Sequence, residues 1–139
     1  MSSKQVIVVR NDLKDSNANP VGFGKLAAQI AHASLCNILN LIKRKDIINN
    51  NIVCSLSYPL DSPEQEWIEN SFTKIILSVN SEEELLAIYR KANSLGLNTS
   101  LITDEGRTCF NNIPTATCAA IGPHSREAFL GLTDHLRMY

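Results

Sequence analysis

The chain has 139 residues, 44% of them hydrophobic and 19% charged, with a formal net charge of −1. That length suits one domain with one buried core, needing neither disulfides nor metal to compensate for small size, so residues 1–139 are expected to form a single domain. No apolar run approaches the ~18 residues of a membrane span, and the polar opening Met-Ser-Ser-Lys-Gln lacks the apolar stretch of a secretory signal, so a cytoplasmic protein without a membrane partner is expected.

Residues 5–10, Gln-Val-Ile-Val-Val-Arg, have a continuous β-branched centre and predict a strand covered on both faces. Residues 11–24 are rich in Asn, Asp, Ser, Pro and Gly and read as a loop. From Lys25, the apolar residues Leu26, Ala27, Ile30, Ala31, Leu35, Ile38 and Ile42 recur at helical steps. The basic run Lys43-Arg44-Lys45 is expected to end that helix, where it would complement the dipole. Residues 46–70 read as an irregular excursion with a short helix around Trp67 at 64–69. A strand is expected over 72–79.

Ser81 and Glu84 form a capping box that opens the next helix, and Gly96 supplies its stop. Strands over 99–103 and 117–121 complete the pattern. Strands alternating with helices long enough to cross over predict an α/β fold: one compact layered domain, a four-stranded mixed sheet and flanking helices.

Four cysteines, Cys36, Cys54, Cys109 and Cys118, and three histidines, His32, His124 and His135, fall at no metal-ligand spacing. No cofactor is expected, and the cysteines read as buried or free thiols. Charge is unevenly spread. Residues 1–50 hold seven Lys/Arg against three Asp/Glu, and residues 51–106 hold three against nine. A chain neutral overall can therefore still present a basic surface to phosphates.

Ligands of α/β sheets collect beyond strand carboxyl ends and near helix N-termini, and three polar clusters fall there. Lys25, Gln29 and His32 share one helix face. Thr103-Asp104-Glu105-Gly106-Arg107-Thr108 follows the third strand, and Pro114-Thr115-Ala116-Thr117 leads into the fourth. Each has a bland reading: His32 as a packed core histidine, Asp104-Glu105-Gly106 as a simple turn. Gly24-Lys25 is not a phosphate-binding Walker loop, because the upstream glycine and the following Ser/Thr are missing.

Five ordered blocks resemble the type II (archaeal and eukaryotic) peptidyl-tRNA hydrolase family. They are Val6-Ile7-Val8-Val9-Arg10-Asn11-Asp12-Leu13-Lys14, Gly24-Lys25-Leu26-Ala27-Ala28-Gln29-Ile30-Ala31-His32-Ala33-Ser34, Ser81-Glu82-Glu83-Glu84-Leu85-Leu86, Leu101-Ile102-Thr103-Asp104-Glu105-Gly106-Arg107-Thr108, and Pro114-Thr115-Ala116-Thr117 with Ala120-Ile121-Gly122-Pro123. The resemblance implies a metal-free hydrolase of the ester between peptide and tRNA, often dimeric, so a homodimer is among the expectations. It implies catalytic roles for Lys25, Asp104 and Thr108. Gln29, His32, Arg107, Thr115, Thr117 and Lys14 are then expected to position substrate, with the acceptor end of tRNA as partner and Lys43 and Arg44 adding phosphate contacts. Residues 15–23 make the loop before Lys25 longer than the family pattern, and Glu105 replaces a small residue. The competing readings are a non-catalytic RNA- or protein-binding member of the fold, and a thiol hydrolase built on Cys109.

Overall fold

A computed structural model of the chain describes residues 2–106 and 110–139. It consists of β1 (Ser3–Arg10), α1 (Phe23–Leu39), β2 (Ile42–Ile48), β3 (Asn51–Leu56), α2 (Pro63–Glu66), β4 (Thr73–Val79), α3 (Glu82–Ser94), β5 (Thr99–Asp104) and β6 (Thr115–Ser125). Helix α2 runs on into a π-type turn, Trp67–Ser71, and β6 into a 3₁₀ turn, Arg126–Phe129.

Four strands form one sheet in the order β4-β1-β6-β5. β1 pairs parallel with β4 and antiparallel with β6, which pairs antiparallel with β5. The sheet is therefore mixed, with helices on both faces, as the alternation of patterns predicts. Val6, Ile7, Val8 and Val9 are wholly buried, which a strand can achieve only between two layers. Val6 and Val8 join Leu77, Leu85, Ala119, Ile121, Phe129 and Leu132 on the α3 side. Ile7 and Val9 join Ala33, Cys118 and Ala120 beneath α1.

Helix α3 follows its sequence signals. The Ser81 hydroxyl accepts from the Glu84 N–H at 3.1 Å, and the Glu84 carboxylate accepts from the Asn80 N–H, one residue earlier than an ideal capping box. Gly96, at φ +76°, takes the left-handed position that ends it.

The region after α1 differs from expectation. The helix stops at Leu39, and Lys43, Arg44 and Lys45 lie on β2 instead of on a last helical turn. β2 and β3 form a separate hairpin turning at Asn49 and Asn50, whose φ values are +49° and +61°. Two consecutive left-handed residues are what a tight two-residue hairpin demands, and asparagine tolerates them. The β-branched run flanking three asparagines was therefore a hairpin signal within the stretch expected to be irregular. Pairing across a bulge at Ile42/Arg44 sets Ile42 opposite Leu56, Lys45 opposite Cys54 and Ile47 opposite Ile52. One ribbon face is thus largely apolar, yet Ile47 is 81% and Ile52 73% exposed.

Helix α1 is turned in a way its apolar periodicity does not suggest. Its buried residues are Gln29, Ala33 and Asn37, spaced four apart. Leu26 and Ile30 pack beside this row, while Phe23, Ala27, Ala31 and Leu35 face a groove of about 750 Å³ whose other wall includes Trp67, Phe72 and Tyr139.

The loop after β1 is more ordered than a run of turn residues implies. Asp15 accepts from the N–H groups of Asn17 and Asn19, and Lys14 bridges to Pro20. Leu13 and Val21 pack on Phe110. Residues 15–19 are a tied tip, and Val21 is a core contact that a shortened loop would have to keep.

Asn37 is wholly buried and fully bonded. Its amide donates to Gly122 O at 2.8 Å and Asn98 O at 3.2 Å, and its oxygen accepts from Ser100 Oγ at 2.6 Å. Asn37→Leu strands these partners without water, so we expect a loss of about 2–4 kcal/mol in denaturant unfolding. A change below about 0.5 kcal/mol, the scatter of ordinary surface substitutions, would show that the seam does not hold α1 in place.

Candidate active site

The carboxyl end of β5, the first turns of α1 and the start of β6 meet around Asp104. Lys25 Nζ lies 2.6 Å from Asp104 Oδ2, with the two side chains 24% and 10% exposed. Gln29 Nε2 donates to the same oxygen at 3.0 Å. The other oxygen, Oδ1, accepts from the Gly106 N–H at 2.7 Å. Lys25 and Gln29 are one helical turn apart, so both reach a single carboxylate.

Behind Gln29 stands Thr117, buried on β6, whose hydroxyl donates to Gln29 Oε1 at 2.9 Å. That bond fixes the amide with its nitrogen toward Asp104. Thr115 is the direct cross-strand neighbour of Asp104, and its hydroxyl turns away to donate to Ile113 O at 2.8 Å.

Gly106 has a positive φ of +83°, and a Cβ there would lie 2.3 Å from Ile113 O. Only glycine fits, so the turn after Asp104 is shaped to aim a backbone N–H at the carboxylate. Asp104-Glu105-Gly106 is indeed a turn, and the turn belongs to the site.

Burial works to raise the pKa of Asp104, but the Lys25 hydrogen bond, the Gly106 N–H, the charge of Lys25 and the Gln29 amide outweigh it. The carboxyl is held below its ordinary range.

His32 is exposed and stands on the lip of the same pocket, about 320 Å³ in volume, with Lys25, Gln29, Ile102, Thr103, Asp104 and Glu105. The reading of His32 as a packed core residue does not hold. Lys14 is exposed in the loop before α1. Lys43 and Arg44 lie beyond the far end of α1; fourteen helical steps from Lys25 to Leu39 amount to about 21 Å. Arg107, Thr108 and Cys109 lie outside the described residues.

Sequence reasoning gave no role to Arg10 and Asp12. Arg10 grips Asp12 with two hydrogen bonds of 2.9 Å and donates to Ala116 O at 3.0 Å, bracing the start of β6 beside Thr117. The i, i+2 pairing at a strand end was the available signal. Cys118 is buried in the sheet and its thiol is pushed up to about 11 by that burial, so it is no nucleophile. Among the described residues no group of His, Cys, Asp and Glu could hold a metal ion.

The sequence profile described as peptidyl-tRNA hydrolase PTH2 matches residues 3–139. The chain belongs to this family. It is 37% identical over 135 residues to a peptidyl-tRNA hydrolase of Methanococcus maripaludis, covering 97% of each chain. To that of Methanocaldococcus jannaschii it is 38% identical, covering 97% of this chain and 98% of the relative. To that of Sulfurisphaera tokodaii it is 35% identical over 138 residues, covering 99% of each. A solved structure of a protein of unknown function from Agrobacterium tumefaciens superposes with a TM-score of 0.51 at 12% identity, covering 100% of this chain and 98% of that one. At that identity the likeness concerns the fold alone.

The depressed pKa has a consequence with a definite sign. A carboxyl lowered in the folded state adds stability above its unfolded pKa of about 3.9, and that contribution is lost as pH falls through the lower folded value. Lys25→Met removes the donor and its charge but leaves the burial, so the Asp104 carboxyl should titrate at higher pH than in the parent. Carboxyl-carbon NMR titration of both proteins reads this directly. An unmoved titration would mean that Gly106 and Gln29 hold the carboxylate unaided.

Proposed function

We propose that this chain hydrolyses the ester joining a peptide to the terminal ribose of tRNA, releasing a free peptide and a reusable tRNA. The observation that carries the reading is the Asp104 carboxylate: largely shielded from water, kept ionised by Lys25 at 2.6 Å, oriented by Gln29 and Thr117, and open on one side to a pocket, in a member of the PTH2 family.

Ester hydrolysis needs a placed water, a proton acceptor and positive charge near the developing oxyanion. In the proposed reaction Asp104 accepts the water's proton, directly or through the Thr108 hydroxyl, while the water oxygen bonds to the ester carbonyl carbon. Lys25 offsets the charge that builds on the carbonyl oxygen. The intermediate then collapses with cleavage of the bond to the ribose oxygen, which takes the proton that Asp104 accepted. Water, proton and leaving alcohol balance without a metal or cofactor. Gln29 and Thr117 act by orienting Asp104, whereas His32, Arg107, Thr115 and Lys14 are assigned to substrate.

A non-catalytic binder has no use for a carboxylate held ionised against burial at the mouth of a pocket, which favours the enzyme. The substrate enters by its acceptor end, with residues 1–139 acting as one hydrolase domain in the cytoplasm, where charged tRNA is used. Among the described residues no helix is long and apolar enough to cross a membrane.

Assayed on an N-blocked aminoacyl-tRNA with EDTA present, Lys25→Ala, Asp104→Ala and Thr108→Ala should each slow turnover by roughly 10- to 1000-fold while the fold persists. Parent-like rates in all three would remove the assignment.

The assembly is proposed to be a homodimer. Its support is the apolar groove along α1 and the apolar face of the β2–β3 hairpin, two exposed apolar surfaces on one chain. Sedimentation equilibrium at micromolar concentration should return twice the chain mass of 15.3 kDa. A single-chain mass across that range would rule the dimer out.

A further inference from the structure

The pocket around Asp104 does not end at His32. A second depression, about 600 Å³ in volume, continues from it along the seam between α1 and β5 and shares His32, Ile102 and Thr103 with the first. Its remaining walls are Leu35, Cys36 and Leu39 of α1 and Leu101 of β5. Among the described residues no Lys, Arg, Asp or Glu lines it.

β5 is also the edge of the sheet, paired with β6 on one side and, among the described residues, with no strand on the other. An edge strand presents alternate backbone N–H and C=O groups that lack ladder partners. Helix and strand run in opposite directions here. Lys25 meets Asp104 at one end of the seam, and Asn40 bonds to Ser100 and Asn98 at the other. The seam thus leads from the reacting site back along β5 and is closed by the Asn40 side chain about four residues away.

We propose that this seam binds the peptide half of the substrate: the residues preceding the ester lie extended along the free edge of β5, with alternate side chains in the depression formed by Leu35, Cys36 and Leu39. This rests on the hydrolase reading above and specifies where its substrate goes. The direction follows from the chemistry. The peptide's last carbonyl must sit at Asp104, so its chain leads back toward Thr99 and runs N to C in the same sense as β5. The added strand is therefore parallel.

Two arguments assign the seam to peptide. A tRNA backbone carries a charge on every phosphate and needs cations, and the described residues of these walls supply none. An enzyme that accepts peptides of any sequence needs recognition that ignores side-chain identity, and main-chain pairing with a sheet edge supplies it, while a shallow apolar depression adds affinity.

The test uses the full chain and tRNAs carrying N-blocked peptides of one to six residues. KM should fall as the peptide lengthens to about four residues, the stretch of free edge, and then level off. N-methylation of the backbone amides one at a time should raise KM about fivefold at the alternate positions that face β5, the worth of one net hydrogen bond, and leave the intervening positions unchanged. Leu39→Asp should raise KM for a four-residue apolar peptide and leave the single-residue substrate unchanged, with Leu39→Met restoring parent values. A KM indifferent to both length and N-methylation would overturn the proposal. So would an equal rise for the single-residue and four-residue substrates in Leu39→Asp, which would place the terminal adenine in the depression. Failure of the parent protein to cleave any of these substrates would instead remove the hydrolase reading, and this one with it.

Discussion

The row Lys25, Gln29, Ala33, Asn37, one residue per turn along α1, governs how the rest of the molecule is arranged. Helices of α/β proteins ordinarily lay an apolar stripe on the sheet. Here the most deeply buried line is polar at three of four positions, and each polar side chain is satisfied by a named group on β5, on β6 or at Asn98 just before β5. Apolar packing tolerates small slides and rotations. A set of hydrogen bonds with buried partners does not, because a slip leaves several groups bare at about 1–3 kcal/mol each. The helix is thereby fixed in register against the strands, and two elements distant in sequence can hold Lys25 and Asp104 at contact distance.

The same rotation explains the exposed apolar surface. With polar residues facing in, the Phe23, Ala27, Ala31 and Leu35 row must face outward, so the groove along α1 is a consequence of how the site is built. What faces the groove is then free to serve association, and the apolar ribbon of β2 and β3 adds to that surface. An isolated two-stranded ribbon is marginal in water by itself. One with Ile47 and Ile52 uncovered has more to gain from a partner than from solvent.

Much of this was legible in the residues. The β-branched centre of β1 announced a strand with two covered faces, Ser81 and Glu84 announced α3, and the ordered motif blocks placed Lys25, Gln29, Asp104 and Thr117 together before any coordinates did so. The illegible parts share a cause: local pattern does not say which neighbour satisfies a polar group. Asn37 reads as a neutral helix residue until Gly122, Asn98 and Ser100, more than 60 positions away in sequence, are brought beside it. Leu35 reads as core because periodicity reports a stripe without its direction. Lys43, Arg44 and Lys45 suit a helix terminus electrostatically, but Asn49 and Asn50 had already committed the segment to a hairpin, and the pairing of whole strands outweighs a dipole term of ~0.3–1 kcal/mol.

The relocation of those three cations bears on how substrate meets the site. They account for most of the basic excess in the first third of the chain, yet they lie on β2, past the end of a helix that rises about 21 Å from Lys25 to Leu39. A single phosphate cannot touch both ends of that distance. On the proposed reading, contacts near the ester fall to Lys14 and Arg107, while the guanidinium of Arg10 is already held by Asp12. Among the described residues few cations stand at the reacting end, so affinity is expected from elsewhere along the substrate as well. If the peptide follows β5 toward the C-terminal end of α1, the tRNA must leave the site in another direction, since both start from one carbonyl carbon. A hydrolase built this way draws its affinity from two arms that diverge at Asp104, one read by charge and the other by the backbone of an edge strand.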